Sequence, residues 1–261
     1  MNKEAAEVKE ALEKADMVLV GIGEEFEENE YLMQNSVYRQ ICEKVAAEKI
    51  LWVMPYVNAI FLRDDKRLQR AYRALGGMLA DKNYFVISVC TNGFLSKAGL
   101  REERLVEPCG SYEKMQCVNG CEGSVAPVCE TLLEEVEACC RGTKDWKELK
   151  QPVCSACKAP YVFNSLYTER YLEEGYSERW KLYTKWLQGT VNRKLCILEL
   201  GAGMMFSGVT RFRFEKIAGL NQKAKLIRVH QHLYQLPEEI TARGIGISKN
   251  SVEFMAETEK S

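Results

Sequence analysis

Histidine is nearly missing from this chain: His230 and His232 are the only two in 261 residues, too few to build a histidine metal site. Net charge is missing too. Thirty-six basic and 37 acidic side chains leave −1, so no positive field gathers a polyanion, and nucleic acid is not expected as a partner. No apolar run reaches the length of a membrane span and no charged-then-apolar leader follows Met1, so the expectation is a cytoplasmic protein with no membrane partner. Internal repeats, low-complexity tracts and long linkers are lacking as well, which points to one α/β domain with a small insert. Cysteine, by contrast, is plentiful at eleven. In a small secreted domain that number means disulfides; a long chain with no leader favours reduced thiols.

Four of those thiols form two close pairs, Cys117-x3-Cys121 and Cys154-x2-Cys157, the second in the turn-like stretch Pro152-Val153-Cys154-Ser155-Ala156-Cys157. Thiolates at such spacing can meet on one tetrahedral Zn²⁺, so a structural zinc ribbon is expected, with Cys129 as an alternative ligand to Cys121. The other cysteines read more plainly: Cys42 and Cys196 as small apolar core residues, Cys139 and Cys140 as part of a helix.

Periodicity supplies the frame. Residues 3–15 carry Ala5, Val8, Leu12 and Ala15 on one helical stripe, and 64–80 carry Leu68, Ala71, Tyr72, Leu75 and Leu79 on another. Helices are also predicted over 128–140 and from a capping Ser177 through Trp180, Tyr183, Trp186 and Leu187, aromatic residues whose spacing suits core packing. Buried strands are predicted at 17–20, 84–89, 195–200 and 225–229. Strands alternating with helices imply a Rossmann-like parallel sheet covered by helices, in two stretches (1–112 and 166–261), with a zinc-binding small domain inserted at about 113–165.

Two of the strands run into glycine turns, Gly21-Ile22-Gly23 and Gly201-Ala202-Gly203. A doubly wound sheet offers a nucleotide such turns at the carboxyl ends of its strands, and an ordinary strand-to-helix turn is the plainer reading.

Several segments together resemble the sirtuin family, closest to its macrodomain-linked bacterial and fungal members. Residues 82–87 (Lys82-Asn83-Tyr84-Phe85-Val86-Ile87) are similar to the strand leading to that family's Thr-Asn motif, and Ala98-Gly99-Leu100 to the Ala-Gly that follows. Gly110-Ser111-Tyr112 with Gln116-Cys117 resembles the entry to the first zinc pair, and Leu198-Glu199-Leu200-Gly201-Ala202-Gly203 the second nucleotide half. Lys223-Ala224 and Pro237-Glu238-Glu239-Ile240 also fit, so the resemblance spans most of the chain.

The resemblance implies an NAD-consuming enzyme, a protein deacylase or an ADP-ribosyltransferase, with a protein substrate or partner, a macrodomain or lipoyl-carrier protein among the possibilities. It implies cofactor contacts from Gly21, Gly23, Gly201, Gly203 and His230. At the catalytic and ribose positions the chain departs from the pattern: Cys90 stands for an Asn, Asn92 for an Asp, and Cys109 for a His or Gln. His230 falls where an Asn usually touches the adenosine ribose. The first loop departs as well: where the family has Gly-Ala-Gly-x-Ser this chain reads Gly21-Ile22-Gly23-Glu24-Glu25, with five glutamates between Glu24 and Glu30. Such carboxylates suit the first turn of a helix, but a carboxylate about 4 Å from a phosphate costs on the order of 4 kcal/mol at an effective dielectric of about 20. Arg39 or Arg63 could offset that cost. The expectation is therefore a sirtuin-like zinc protein whose NAD site is degraded, impaired in catalysis or repurposed for binding; the alternative is an active ADP-ribosyltransferase or lysine deacylase. Cys90 and Cys109 are expected near one cleft, as a reactive pair or as small residues filling vacated space.

Overall fold

The structure is a computed structural model and describes residues 3–27 and 29–258. Nine strands are found among these residues: β1 Met17–Ile22, β2 Tyr84–Ser88, β3 Leu105–Val106, β4 Gly110–Cys117, β5 Ala126–Pro127, β6 Tyr161–Ser165, β7 Leu195–Leu200, β8 Lys225–Val229 and β9 Ile245–Ile247. Six form one sheet in the order β3-β2-β1-β7-β8-β9, every neighbouring pair parallel. The other three make a small antiparallel sheet, β5-β4-β6. This is the expected α/β architecture with a separate small sheet.

Side-chain alternation explains why helices cover both faces. Val18, Val20 and Ile22 of β1 point into one core with Val86, Leu198 and Ile227, and the helices Lys3–Lys14, Lys66–Leu79 and Ser251–Thr258 close over it. Met17 and Leu19 point the other way, with Phe85, Ile87 and Ile197, under the helices Ser177–Gln188 and Arg211–Leu220. Gly21 belongs to this second face, where a Cβ would lie 2.4 Å from the Phe214 ring. The helix Lys66–Leu79 starts where the Asp65 carboxylate accepts from Arg67 N (2.8 Å) and Leu68 N (3.1 Å). Ser177 is not a cap as expected: it is the first helical residue, and Tyr176, ending the 3₁₀ turn Glu173–Gly175, holds the cap position with its ring stacked on Tyr171.

Between β7 and β8 the second face buries an ion pair. Register places Glu199 beside Arg228, and both side chains are fully buried. Arg228 Nε reaches Glu199 Oε1 at 2.5 Å, and its Nη2 donates to Glu199 Oε2 at 3.2 Å and to Glu215 Oε1 at 2.8 Å. The fork geometry satisfies both partners, so removing one is costly. Arg228→Met is expected to cost about 3–5 kcal/mol in urea unfolding, because Glu199 is left buried and uncompensated, and replacing Glu199 by Leu as well should recover part of the loss.

Candidate functional site

Strand order reverses between β1 and β7, and at such a switch point the loops leaving two adjacent parallel strands diverge and leave a crevice. The loops after β1 and β7 meet here so closely that a Cβ on Gly23 would lie 2.2 Å from Ala202 Cα. Beside them lies a cavity of about 730 Å³ lined by Glu24, Glu25, Glu27, Arg67, His230 and Glu253, among others. The predicted Gly21, Gly23, Gly201, Gly203 and His230 are thus gathered at one end of the sheet.

Glu24 and Glu25 open a 3₁₀ turn, Glu24–Phe26, rather than an α-helix, and the helix Asn29–Gln34 comes after it. The carboxylates of Glu24, Glu25 and Glu27 each reach to a different strand exit. Glu24 accepts from the N–H groups of Gly203 (2.6 Å) and Phe206 (3.1 Å), in the turn after β7. Glu25 accepts from Gln231 N after β8 and from Ser251 N at the start of the last helix, both at 2.8 Å. Glu27 accepts from Thr91 N (2.7 Å) and Thr91 Oγ1 (2.6 Å) after β2. Glu28 and the side chain of Glu30 lie outside the described residues. The guanidinium on the cavity wall belongs to Arg67; Arg39 is exposed on its own helix and Arg63 lines a different cavity.

The three substituted positions are engaged inward. Asn92 Nδ2 donates to Phe26 O (2.7 Å) while its Oδ1 accepts from Phe94 N (3.1 Å). Cys90 Sγ donates to Gly23 O at 3.1 Å. Burial, reinforced by Glu27, pushes the Cys90 thiol well up, and burial with Glu27 and Glu24 pushes Cys109 up to about 12. Both are therefore protonated thiols, which favours the space-filling reading over a reactive pair. His230 Nδ1 accepts from His232 N (3.0 Å) and Leu233 N (3.1 Å), and burial lowers its pKa, so the ring is neutral and its 3.2 Å approach to Glu25 is no ion pair. Sequence reasoning missed Glu107, two residues before Cys109, which burial pushes up to about 7. It also gave no role to Arg211, whose Nη1 donates to Ala202 O (3.2 Å) and Leu233 O (3.0 Å) and so fixes the turn after β7. Strand register would have paired Glu199 with Arg228, but nothing in a linear pattern points Arg211 at a carbonyl.

The second site is the cysteine cluster. Two tight turns build it: Gly120, at φ +67°, donates to Cys117 O, and Ser124 Oγ accepts from Cys117 N; then Lys158 N donates back to Cys154 O, and Cys154 N to Ala159 O. The sulfurs of Cys117, Cys121, Cys154 and Cys157 all lie within 4.8 Å of one another. Cys157 Sγ is 3.4 Å from Cys117 Sγ and 3.6 Å from Cys121 Sγ, near the ~3.8 Å edge of a tetrahedron with metal–sulfur bonds of about 2.3 Å. Cys129 is outside this group, exposed at the start of the helix Glu130–Cys140.

No protein-family profile matches the chain. Among solved structures, the chain is similar to a Sir2 bound to a propionylated peptide, at a TM-score of 0.55 and 16% identity over 98% of this chain and 97% of the other. It is similar to a Sir2 homologue in complex with ADP-ribose at a TM-score of 0.57 and 10% identity, over 100% and 96% of the two chains. The fold is therefore that of the sirtuins. Among curated proteins, a protein ADP-ribosyltransferase of Staphylococcus aureus is 22% identical over 95% of this chain and 84% of its own length. A probable bifunctional ADP-ribose hydrolase/ADP-ribosyltransferase of Fusarium oxysporum is 29% identical over 56% of this chain, which spans only 25% of that protein. No helix among the described residues is long and apolar enough to cross a membrane.

A thiol near pKa 12 holds about a thousandfold less thiolate at neutral pH than one near 9. Alkylation of the native protein followed by mass spectrometry is therefore expected to label exposed Cys129, and exposed Cys157 wherever it holds no metal, and to leave Cys90 and Cys109 unmodified until unfolding. Labelling of Cys109 as fast as Cys129 would contradict the assignment.

Proposed function

We propose that this chain is a zinc-stabilised protein of sirtuin fold whose nucleotide cleft has been closed to NAD from within, leaving a module that binds a protein partner. One observation carries the reading: the turn and helix-start N–H groups at the switch point already hold carboxylates, Glu24 on Gly203 and Phe206, and Glu25 on Gln231 and Ser251. Donors of this kind are what an anionic pyrophosphate needs. To use them it would have to displace both side chains, then sit within a few ångströms of their charge, at on the order of 4 kcal/mol for each at an effective dielectric of about 20. Arg67 offsets only part of that, because it also lies 3.5 Å from Asp65 and 3.7 Å from Glu253. These residues do not fit a dinucleotide, and no chemical step is derived through one.

Cys109 supports the same reading. A general base works best with a pKa near the working pH, and a thiol held near 12 keeps its proton. Asn92 spends both ends of its amide on Phe26 and Phe94, which leaves little for a ribose hydroxyl. The cysteine cluster fits zinc with four thiolate ligands and no open position, which makes it structural. The competing reading, an NAD-dependent ADP-ribosyltransferase or deacylase, draws on the names of the relatives and on solved neighbours that hold ADP-ribose, NAD and peptides. The peptide-bound neighbours are also what make a protein partner the preferred ligand here.

Metal analysis of protein purified without chelator should find one zinc per chain, and Cys154→Ser should lose it; a ratio well below one excludes the site. Calorimetric titration with NAD and with ADP-ribose separates the two functional readings. The native chain is expected to give no binding in the micromolar range, and the double variant Glu24→Ala, Glu25→Ser to gain at least about 100-fold in affinity for ADP-ribose. Micromolar binding by the native chain would restore the enzyme reading.

A further inference from the structure

A second cavity, sharing no lining residue with the cleft, lies against the helix Lys66–Leu79. It measures about 300 Å³ and is lined by Arg63, Gln69, Tyr72, Arg73, Phe94 and Lys97. Its charge is one-sided: three cations and no carboxylate line it, in a chain whose acidic residues outnumber its basic ones. The cations come from three places, the residue ending the helix Met54–Leu62, the middle of Lys66–Leu79, and the 3₁₀ turn Leu95–Lys97. Unrelated local choices rarely converge so on one hollow.

The cavity has a rigid apolar wall. Tyr72 and Phe94 are both buried, and their rings stack at 5.8 Å and 12°, while Phe26 packs edge-on against Tyr72 at 5.2 Å. Arg63 is the informative member. Its Nη1 lies 3.8 Å from Glu137 Oε2, beyond hydrogen-bond reach, and Glu137 is drawn instead to Arg141, 2.5 Å from its Oε1. Arg63 Nη2 is buried and meets no hydrogen-bond acceptor among the described residues. The Arg63 side chain as a whole is 39% exposed, and its planar fork is shaped for two oxygens of one oxyanion. Arg73 and Lys97 are exposed and add charge at the rim.

The geometry points to a binding site for a phosphate group at Arg63, Arg73 and Lys97, on the wall formed by Tyr72 and Phe94. A cavity at the small end of the ligand range holds inorganic phosphate or a small phosphomonoester, not a nucleotide. The site does not depend on how the cleft is read, and it stands whether or not NAD binds there.

Thermal melting of the full chain tests it, with inorganic phosphate and glycerol phosphate as probes and chloride as the control at equal ionic strength. Phosphate is expected to raise Tm beyond chloride in a saturable way. Arg63→Gln should weaken apparent affinity about 10- to 100-fold, since it removes a charged hydrogen bond, and Lys97→Gln by less. Lys97 is exposed, so its variant keeps the test decisive even where Arg63→Gln fails to fold. Arg67→Gln, which removes the guanidinium on the wall of the cleft, should leave the effect unchanged, which separates this site from the cleft. Tighter binding of glycerol phosphate assigns the site to phosphomonoesters, and equal binding assigns it to the free ion. Equal melting in phosphate and chloride, or an undiminished phosphate effect in both variants, overturns the proposal.

Discussion

A parallel sheet leaves unpaired N–H groups where its strands run out into turns, and each of them buried needs an acceptor. At the switch point of this sheet the need is acute. The exits of β7 and β8 and the first turn of the helix Ser251–Thr258 converge beside the exit of β1. Here one 3₁₀ turn supplies the acceptors, through Glu24 toward the second glycine turn and Glu25 toward the last helix. Glu27 adds the third link, to Thr91 after β2. One short loop thereby ties together three strand exits and a helix start. On the proposed reading, the carboxylates do the structural work that a bound anion would otherwise do, and they satisfy the N–H groups of Gly203, Phe206, Gln231 and Ser251.

This arrangement rests on the buried charges behind it. Arg228 holds Glu199 and Glu215, and Arg211 beside them donates to Ala202 O in the turn that Glu24 also grips. The turn is thus held from both sides, its N–H groups by a carboxylate and a carbonyl by a guanidinium. Gly23 and Ala202 approach too closely for a side chain at position 23, so the two loops behave as one unit. Replacing Glu24 therefore removes a strut as well as a charge, and a variant with restored anion affinity is expected to be less stable than the native chain.

Much of the scaffold was legible because it is written in periodicity. Strands near 17 and 84 stand out as apolar runs, since a sheet covered on both faces tolerates little polarity, and those near 195 and 225 keep enough of the pattern around the paired Glu199 and Arg228. The cysteine pairs were legible because metal-ligand spacing is a local property, and the cluster excludes Cys129, which spacing alone left open. Short edge strands carried no such signal: β3 has two residues and β9 three. The glutamate loop was misread in detail for a related reason. Acidic residues after a glycine turn suit a helix start by local rules, and only the packing of the strand exits reveals that these side chains have nearer N–H groups to satisfy. Ser177 failed as a cap in the same way, because the preceding 3₁₀ turn brings the chain into the helix one residue early. Arg63, one of two arginines the sequence offers as a counter-charge to the glutamates, lines the other cavity instead.

Scaffold and chemistry separate cleanly in this molecule, and electrostatics explains how they can. On the proposed reading, positions 90 and 109 are free to become whatever packs best, while Asn92 ties Phe26 to Phe94. Cys90 and Cys109 illustrate the outcome: small, buried and held protonated by burial and by the carboxylates beside them. Once Glu24, Glu25 and Glu27 stand in the cleft, their field works against any group there that must become anionic, whether a thiolate base or a cofactor phosphate. The same field favours neutral or cationic groups, yet burial keeps His230 neutral, with its Nδ1 accepting from two backbone donors. On the proposed reading, loss of anion chemistry and gain of internal hydrogen bonding are one event, since the same side chains produce both.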